Sequence, residues 1–238
     1  GTHGNICSAG NYCPTESSAV TPCSAGTYSP SKGLSDYTQC LDCPYGKYCN
    51  SQGLSSPTGD CTAGYYCDPG KATPTPPEGE CPTGYYCGTG SWVPIPCAMG
   101  DYNTQTKQSS CTQCGNGYYC TGSTAIQTNC PNGYYCPAGT RYSNEFPCGP
   151  GTYADVTNLD TCKTCPAGRE CNNAATNANN LCPQYKYCPQ GTGYGLICPA
   201  GSYNKDSEGL TVDTDCSVCP SGQYCVDGRI SGQCAPGF

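Results

Sequence analysis

Apolar side chains recur along this chain without the three-to-four-residue spacing of an amphipathic helix. The nonpolar positions that do recur belong to a short motif, Cys-x-x-Gly-x-Tyr, and the residues between its copies are mostly polar. Glycine and proline are abundant, at 32 and 22 residues. This pattern predicts short strands of about three to five residues at the Gly-x-Tyr-Cys segments, joined by turns.

The motif or a close variant of it opens fourteen times, every 15 to 21 residues. Its fourth place is glycine except at Tyr185, and its sixth place, where the motif reaches it, is tyrosine except at Glu170. A fixed period predicts a linear array whose repeats pack mainly on their neighbours. We therefore expect a small disulfide-rich fold, mostly irregular with short β-strands, built as an elongated solenoid-like array. The repeats open at Cys7, Cys23, Cys43, Cys61, Cys81, Cys97, Cys114, Cys130, Cys148, Cys165, Cys182, Cys198, Cys219 and Cys234.

Two positions of the motif have a predicted structural role. The glycine is expected to adopt a backbone conformation that side chains resist. The tyrosine stands next to a half-cystine and is expected to lie flat on the disulfide of its own or the next repeat. A column of such rings, beginning with Tyr12, Tyr28 and Tyr48, would then be the nearest feature to a core.

Cysteine changes what the composition implies. Leu, Ile, Val and Phe together make up roughly one residue in twelve, a level typical of disordered chains. The 27 cysteines, however, are typical of a secreted disulfide scaffold. Because reducing cytoplasm does not preserve disulfides, we expect an extracellular location, secreted or at the cell surface.

The net charge, the hydropathy and the two ends of the sequence lead to further expectations. A net charge of −7 with scattered basic residues disfavours nucleic acid as a partner. No segment is apolar enough to predict a membrane span. The first residue is Gly1, so a secretory signal is expected upstream, and the motif opened by Cys234 predicts further repeats beyond Phe238.

The cysteine spacing separates two kinds of repeat. A short repeat has the pattern C-x5-C, and a long repeat lacks the second cysteine and closes 14 to 18 residues after its first. The order short, long, short gives blocks of six cysteines, with a CxxC pair at each junction of a long and a short repeat. The predicted domains are blocks at 1–60, 81–129, 130–181 and 182–233, an extra short repeat with a Pro-rich extended spacer at 61–80, and the truncated start of another repeat at 234–238.

The strings at 23–49 (CSAGTYSPSKGLSDYTQCLDCPYGKYC) and 198–225 (CPAGSYNKDSEGLTVDTDCSVCPSGQYC) carry a resemblance. They resemble ephrin-receptor-like cysteine-rich repeats, which occur in extracellular proteins of protists and algae. They are more distantly similar to the cysteine-rich domains of tumour necrosis factor receptors. The resemblance covers nearly the whole chain, and it is more specific for fold than for function.

The resemblance implies a pairing rule. Each long repeat would close on itself, and successive short repeats would interlock first to third and second to fourth. The implied pairs are Cys23–Cys40, Cys97–Cys111, Cys148–Cys162, Cys198–Cys216, Cys114–Cys130, Cys120–Cys136, Cys165–Cys182, Cys171–Cys188 and Cys219–Cys234, with Cys43–Cys61 preferred in the run of three short repeats. Partners for Cys7, Cys13, Cys49, Cys67, Cys81, Cys87 and Cys225 stay open, since sequence alone does not fix connectivity.

The sequence does not favour a metal site or a catalytic site. The CxxC pairs Cys40/Cys43, Cys111/Cys114, Cys162/Cys165 and Cys216/Cys219 could be zinc half-sites. Each pair, however, lies within a six-cysteine block, where a zinc cage needs only four thiolates. The chain has a single histidine, His3, which leaves no Ser-His-Asp or Cys-His arrangement. We expect no enzyme activity, cofactor or metal.

Two surface features are candidates for modification and contact. Ser29, Ser56, Thr73 and Thr75 flank prolines and are candidate O-glycan sites, although ordinary turn residues would give the same pattern. Tyr65, Tyr85, Tyr118 and Tyr134 stand beside the motif tyrosine and are candidate contact residues, unless they pack on the adjacent turn.

Near-uniform repeats favour a structural role. We expect a segment of a secreted or cell-surface fibre, for example a flagellar hair or mastigoneme-like filament, that assembles with itself or with other fibre proteins through repeated contacts. The alternative is a ligand-binding or adhesive ectodomain of a cell-surface receptor.

Overall fold

The computed structural model describes residues 6–205 and 207–235. His3, and Phe238 of the motif opened by Cys234, lie outside the described residues. The chain is a disulfide-rich array with almost no helix and many short two-stranded antiparallel sheets, as the repeat pattern predicts. Its only helices among the described residues are three 3₁₀ turns, at Tyr37–Gln39, Pro77–Gly79 and Asp213–Asp215.

Each of the thirteen repeats opened by Cys7 through Cys219 forms one antiparallel hairpin. Its outgoing strand contains the fifth and sixth places of the motif, and its return strand ends just before the cysteine that opens the next repeat. Most strands have two residues, fewer than the sequence predicts, because the turns and disulfides on either side leave little extended chain. The hairpins are β1 (Asn11–Tyr12) with β2 (Thr21–Pro22), β3 (Thr27–Tyr28) with β4 (Leu41–Asp42), β5 (Lys47–Tyr48) with β6 (Gly59–Asp60), β7 (Tyr85–Tyr86) with β8 (Ile95–Pro96), β9 (Asp101–Tyr102) with β10 (Thr112–Gln113), β11 (Tyr118–Tyr119) with β12 (Thr128–Asn129), β13 (Thr152–Tyr153) with β14 (Lys163–Thr164), β15 (Lys186–Tyr187) with β16 (Leu196–Ile197), β17 (Ser202–Tyr203) with β18 (Ser217–Val218), and β19 (Gln223–Val226) with β20 (Arg229–Gln233).

The remaining three repeats keep the same hairpin with a single bridge. The bridges are Tyr65 with Glu80, Tyr134 with Pro147, and Arg169 with Leu181. The last hairpin, β19–β20, is the longest, and its register shifts between Tyr224 and Cys225. The repeat pattern of the sequence therefore corresponds to one structural unit per motif.

The core consists of disulfides. Among the described residues, the buried apolar side chains are all cysteines except Leu34, Pro76 and Ala154. Thirteen disulfides account for every described cysteine but Cys234. In a chain this poor in aliphatic residues, cross-links supply what a hydrophobic core cannot.

The four long repeats close on themselves, as the resemblance implies. The structure contains Cys23–Cys40, Cys97–Cys111, Cys148–Cys162 and Cys198–Cys216.

The interlocked pairs of short repeats are wrong for this structure. Every short repeat closes on itself: Cys114–Cys120 and Cys130–Cys136 replace Cys114–Cys130 and Cys120–Cys136, and Cys165–Cys171 and Cys182–Cys188 replace Cys165–Cys182 and Cys171–Cys188. The turn at the motif glycine brings the Cα atoms of the two cysteines to 5.7–6.0 Å, a distance suited to a disulfide. Once they are joined, neither cysteine is available to the next repeat.

The same geometry settles the remaining cysteines. Cys43 pairs with Cys49 and not with Cys61, and Cys219 pairs with Cys225 and not with Cys234, which is a free thiol. The partners that the sequence left open are also local: Cys7–Cys13, Cys61–Cys67 and Cys81–Cys87.

The Pro-rich segment 71–80 is not an extended spacer. It forms the return arm of the repeat opened by Cys61: the amide of Thr62 donates to the carbonyl of Pro74, and Pro76 is fully buried. Lys71 and Glu78 form an ion pair across the segment. Proline lacks an amide donor but suits a tight turn, and here it begins the 3₁₀ turn Pro77–Gly79.

The contacts divide the array into two compact bodies. The N-terminal body contains the residues up to Gln113 together with Thr121–Ile126, and the C-terminal body contains Cys114–Cys120 and the residues from Gln127 onward. Each body contains several complete repeats.

Candidate functional site: the interface between repeats

Consecutive repeats are joined by the same four backbone hydrogen bonds. In the pair opened by Cys148 and Cys165, the amide of Gly151 donates to the carbonyl of Cys171, and the amide of Cys165 donates back to the carbonyl of Gly151. The amide of Ala154 donates to Ala175, and the amide of Ala174 donates to Cys148. All four distances lie between 2.7 and 2.9 Å.

This ladder recurs complete at five successive junctions in each body, with distances of 2.7–3.1 Å. It involves only main-chain atoms, which every residue type except proline supplies. The interface between repeats is therefore largely independent of which side chains a repeat carries.

The motif glycine is required for two separate reasons. At Gly151 φ is +86°, in the left-handed region that side chains resist. A Cβ atom there would also lie less than 3 Å from the carbonyl oxygen of Gly191, in the second repeat along the chain. The same approach to the loop two repeats away occurs at Gly10, Gly26, Gly46, Gly64, Gly84, Gly117, Gly133 and Gly168.

A second left-handed position lies nine to eleven residues after the opening cysteine of most repeats, and the sequence analysis missed it. Lys107, Ser123, Asn158 and Ala174 adopt a positive φ there, whereas glycine fills the place in most other repeats, at Gly33, Gly53, Gly70, Gly90, Gly139, Gly191, Gly209 and Gly228. In most repeats its amide donates to the carbonyl of the opening cysteine of the preceding repeat. The recurrence of glycine at this offset is the only sequence signal, and it is weak because other residues also occupy the place.

Long repeats replace their missing half-cystine with a small buried residue. The sixth residue after the opening cysteine is Ser29, Asn103, Ala154 or Asn204, and all four are buried. The Nδ2 of Asn103 donates to the carbonyls of Tyr85 and Ser110, at 2.9 and 3.1 Å. A side-chain amide thus stabilises the place that a disulfide occupies in a short repeat.

Two motif tyrosines, Tyr48 and Tyr66, contact the return arm of their own hairpin. A Cβ atom at Gly59 would be 3.3 Å from Cε1 of Tyr48, its cross-strand partner, and the hydroxyl of Tyr66 donates to the carbonyl of Glu78 at 3.3 Å. At the exceptional sixth place, the carboxylate of Glu170 accepts a hydrogen bond from the amide of Gly195 in the next repeat.

The four candidate contact tyrosines are partly accessible, and their role in contacts stays a prediction. Tyr65, Tyr85, Tyr118 and Tyr134 are all half-buried. Tyr65 has the ammonium of Lys107 above its ring, 5.7 Å from the centroid. The large apolar side chains that are exposed lie elsewhere, many of them on return strands.

The four candidate glycan sites differ in exposure. Ser29 is 1% exposed, and its hydroxyl donates to the carbonyl of Ser31, so it has no room for a sugar and this candidate is wrong. Ser56 and Thr75 are exposed, and Thr73 is half-buried beside Thr75.

Charged side chains form isolated surface pairs. The pairs are Lys47–Asp60, Lys71–Glu78, Lys107–Glu80, Arg141–Glu145 and Lys163–Asp155. Hydrogen bonds from Arg141 hold the pKa of Glu145 below its ordinary value, and a hydrogen bond from Lys163 does the same to the pKa of Asp155. Exposed pairs of this kind contribute little stability.

The cysteines of the four CxxC pairs are all half-cystines, with partners outside the pair. Among the described residues, no group of three or more histidine, cysteine or acidic side chains is placed to hold a metal ion. Nor is any helix in this part of the chain long and apolar enough to cross a membrane.

No protein-family model matches the chain, and no curated protein matches it.

Proposed function

We propose that this chain is a non-enzymatic structural segment of a secreted or cell-surface fibre, of the kind represented by flagellar hairs. The observation that carries the proposal is the four-bond ladder repeated at successive junctions in each body. Because the ladder uses only main-chain atoms, further repeats can join the array without new side-chain contacts at each junction. It also leaves the outward side chains free to contact other molecules.

Exposed aliphatic side chains on return strands support assembly. The penultimate or last residue before the next repeat is aliphatic and at least 41% exposed in several hairpins of both bodies. Single weak contacts at such positions become strong when two arrays meet in register. These residues are Leu41, Ile95, Leu181, Leu196, Ile197 and Val218.

The thirteen disulfides are typical of proteins that mature outside the reducing cytoplasm. A fibre outside the cell suits such a chain. Chaperones do not refold proteins there and damaged chains are not replaced by new synthesis, so the fold depends on its covalent cross-links. Glycans at Ser56 and Thr75 would be compatible with the exposure of both side chains.

A secreted, oxidised preparation tests assembly. Sedimentation across a range of concentrations, followed by electron microscopy, is expected to show growth into filaments or ordered bundles. A variant with serine on four return strands is expected to lose this growth while keeping its disulfides. The variant replaces Leu41, Ile95, Leu196 and Val218.

The matched control places serine at exposed aliphatic positions outside the return strands, namely Ile126, Val156 and Val212. It is expected to assemble like the natural chain. A chain that stays monomeric at every concentration and binds one soluble ligand tightly would contradict the fibre and favour the receptor ectodomain.

A further inference from the structure

The hairpins opened by Cys182 and Cys219 depart from the repeat pattern. Tyr185 occupies the motif glycine position with φ of +71°. The guanidinium carbon of Arg229 lies 4.1 Å from the centroid of its ring. A left-handed conformation at a bulky residue costs about 1–3 kcal/mol, and such strain often marks a functional place.

Unpaired positive charge collects around this tyrosine. Lys186, Lys205 and Arg229 form no ion pair with described residues, in contrast to the five basic residues paired elsewhere. Two depressions, with volumes of about 530 and 370 Å³, share Tyr185 and Arg229. Lys186 lines the larger depression and Lys205 lines the smaller one. In a chain of net charge −7, this place is suited to an anion.

The smaller depression also holds an unsatisfied acceptor. Gln223 Oε1 is buried and has no hydrogen-bond partner. Gln223 lines the smaller depression together with Lys205 and Ile230. A buried acceptor without a donor costs about 1–3 kcal/mol, which a ligand hydroxyl would recover once the Gln223 side chain turns towards the depression.

We infer that the smaller depression, lined by Tyr185, Lys205, Gln223, Arg229 and Ile230, binds an anionic saccharide. Arg229 and Lys205 would hold the acidic group, a sugar hydroxyl would donate to Gln223, and the apolar face of the sugar ring would pack against Ile230. Its volume lies in the range of roughly 300–1,000 Å³ that small-molecule sites occupy.

The larger depression is the less suitable place for the acidic group. Its lining includes Asp227, whose carboxylate would repel an anion. The described lining of the smaller depression contains no carboxylate. The acidic group of the saccharide is therefore expected in the smaller depression, beside Lys205 and Arg229.

This inference goes beyond the proposed structural role, because it gives the segment a binding partner of defined chemistry, an acidic saccharide. The site is formed by three repeats of the C-terminal body, those opened by Cys182, Cys198 and Cys219, and it does not depend on whether the chain forms fibres.

Calorimetric titration of the oxidised chain at low ionic strength tests the site with three probes. Trigalacturonate carries both carboxylates and hydroxyls, maltotriose carries hydroxyls alone, and sulfate carries charge alone. Trigalacturonate is expected to bind about tenfold or more tightly than either of the others, since one lost charged hydrogen bond is worth about that factor. Equal binding of sulfate and trigalacturonate would overturn the saccharide assignment, and so would the absence of trigalacturonate binding.

Three single variants locate the site. Lys205→Gln, Arg229→Gln and Gln223→Leu are each expected to weaken trigalacturonate binding about tenfold. Lys32→Gln removes an exposed lysine that also makes no ion pair with described residues, and it lies in the other body, so binding should not change.

The pattern of losses decides the outcome. Lys205 is exposed, so its replacement tests binding even where the loss of the Arg229 stack alters the hairpin. If Lys205→Gln and Lys32→Gln bind alike, the inference is wrong. Failure of the chain to form fibres would leave these titrations unaffected, so the two proposals fail separately.

Discussion

At the scale of single residues, the repeat depends on glycine more than on any apolar side chain. Two constraints require glycine at the motif position. The first is the positive φ of its own backbone, and the second is the close approach of a carbonyl oxygen two repeats away. The sequence indicates the first constraint, because glycine recurs beside a turn. The second needs the stacked array, since Gly151 and Gly191 are forty residues apart.

Two glycines of the same repeat, Gly151 and Gly149, test how much stability depends on glycine at the motif position. Gly151→Ala is expected to lower the free energy of unfolding by about 2 kcal/mol or more, because it adds left-handed strain and a clash with Gly191. Gly149→Ala is expected to change it by less than about 0.5 kcal/mol, since a Cβ there meets nothing within 4 Å. Denaturant titration of the oxidised proteins measures both, and equal losses would contradict the stacking role.

At the scale of elements, the position of the disulfide distinguishes the two kinds of hairpin. In a short repeat such as Cys43–Cys49, both cysteines flank the outgoing strand β5, and the return strand β6 is held by hydrogen bonds. In a long repeat such as Cys23–Cys40, the second cysteine stands directly before the return strand β4. The long repeats are therefore the hairpins that a covalent bond closes.

Amide hydrogen exchange should reveal this difference. A cross-link over 17 residues makes opening of the hairpin costlier by up to about 3 kcal/mol in the chain-entropy model. The segment Leu41–Asp42 is thus expected to exchange at least about tenfold more slowly than Gly59–Asp60. Replacing Cys23 and Cys40 together with alanine should remove most of the difference, whereas equal protection in the natural chain would contradict the argument.

At the scale of the whole molecule, no disulfide among the described residues joins two repeats. Cross-links hold the individual hairpins, and backbone ladders hold neighbouring hairpins together within each body. Neighbouring repeats can therefore separate without breaking a covalent bond, which interlocked disulfides would prevent.

Mass spectrometry distinguishes these arrangements. Alkylation of the unfolded chain without reductant is expected to label Cys234 alone among the described cysteines. Thermolysin cleavage before Ile126 should then release Cys114–Cys120 and Cys130–Cys136 on separate peptides. Peptides that stay linked until reductant is added would show the interlocked pairing instead, and extensive labelling would overturn the disulfide core.

The sequence by itself determined the number of repeats and the disulfide-rich class, whereas the closure of the long repeats was implied by the resemblance to ephrin-receptor-like repeats. The regular Cys-x-x-Gly-x-Tyr spacing is local information that the sequence carries without reference to the fold. It also located the two exceptions, Tyr185 and Glu170, without indicating what either does.

Only the tertiary structure decided how short repeats pair and what holds neighbouring repeats together. Cys114 has candidate partners at Cys120 and Cys130, and the choice depends on the turn at Gly117, which brings the Cα atoms of Cys114 and Cys120 to 6.0 Å. Main-chain hydrogen bonds between repeats leave almost no trace in side-chain identity, because nearly every residue supplies the same donor and acceptor. The contact of Arg229 with Tyr185 also depends on the tertiary structure, because it joins side chains of two different hairpins.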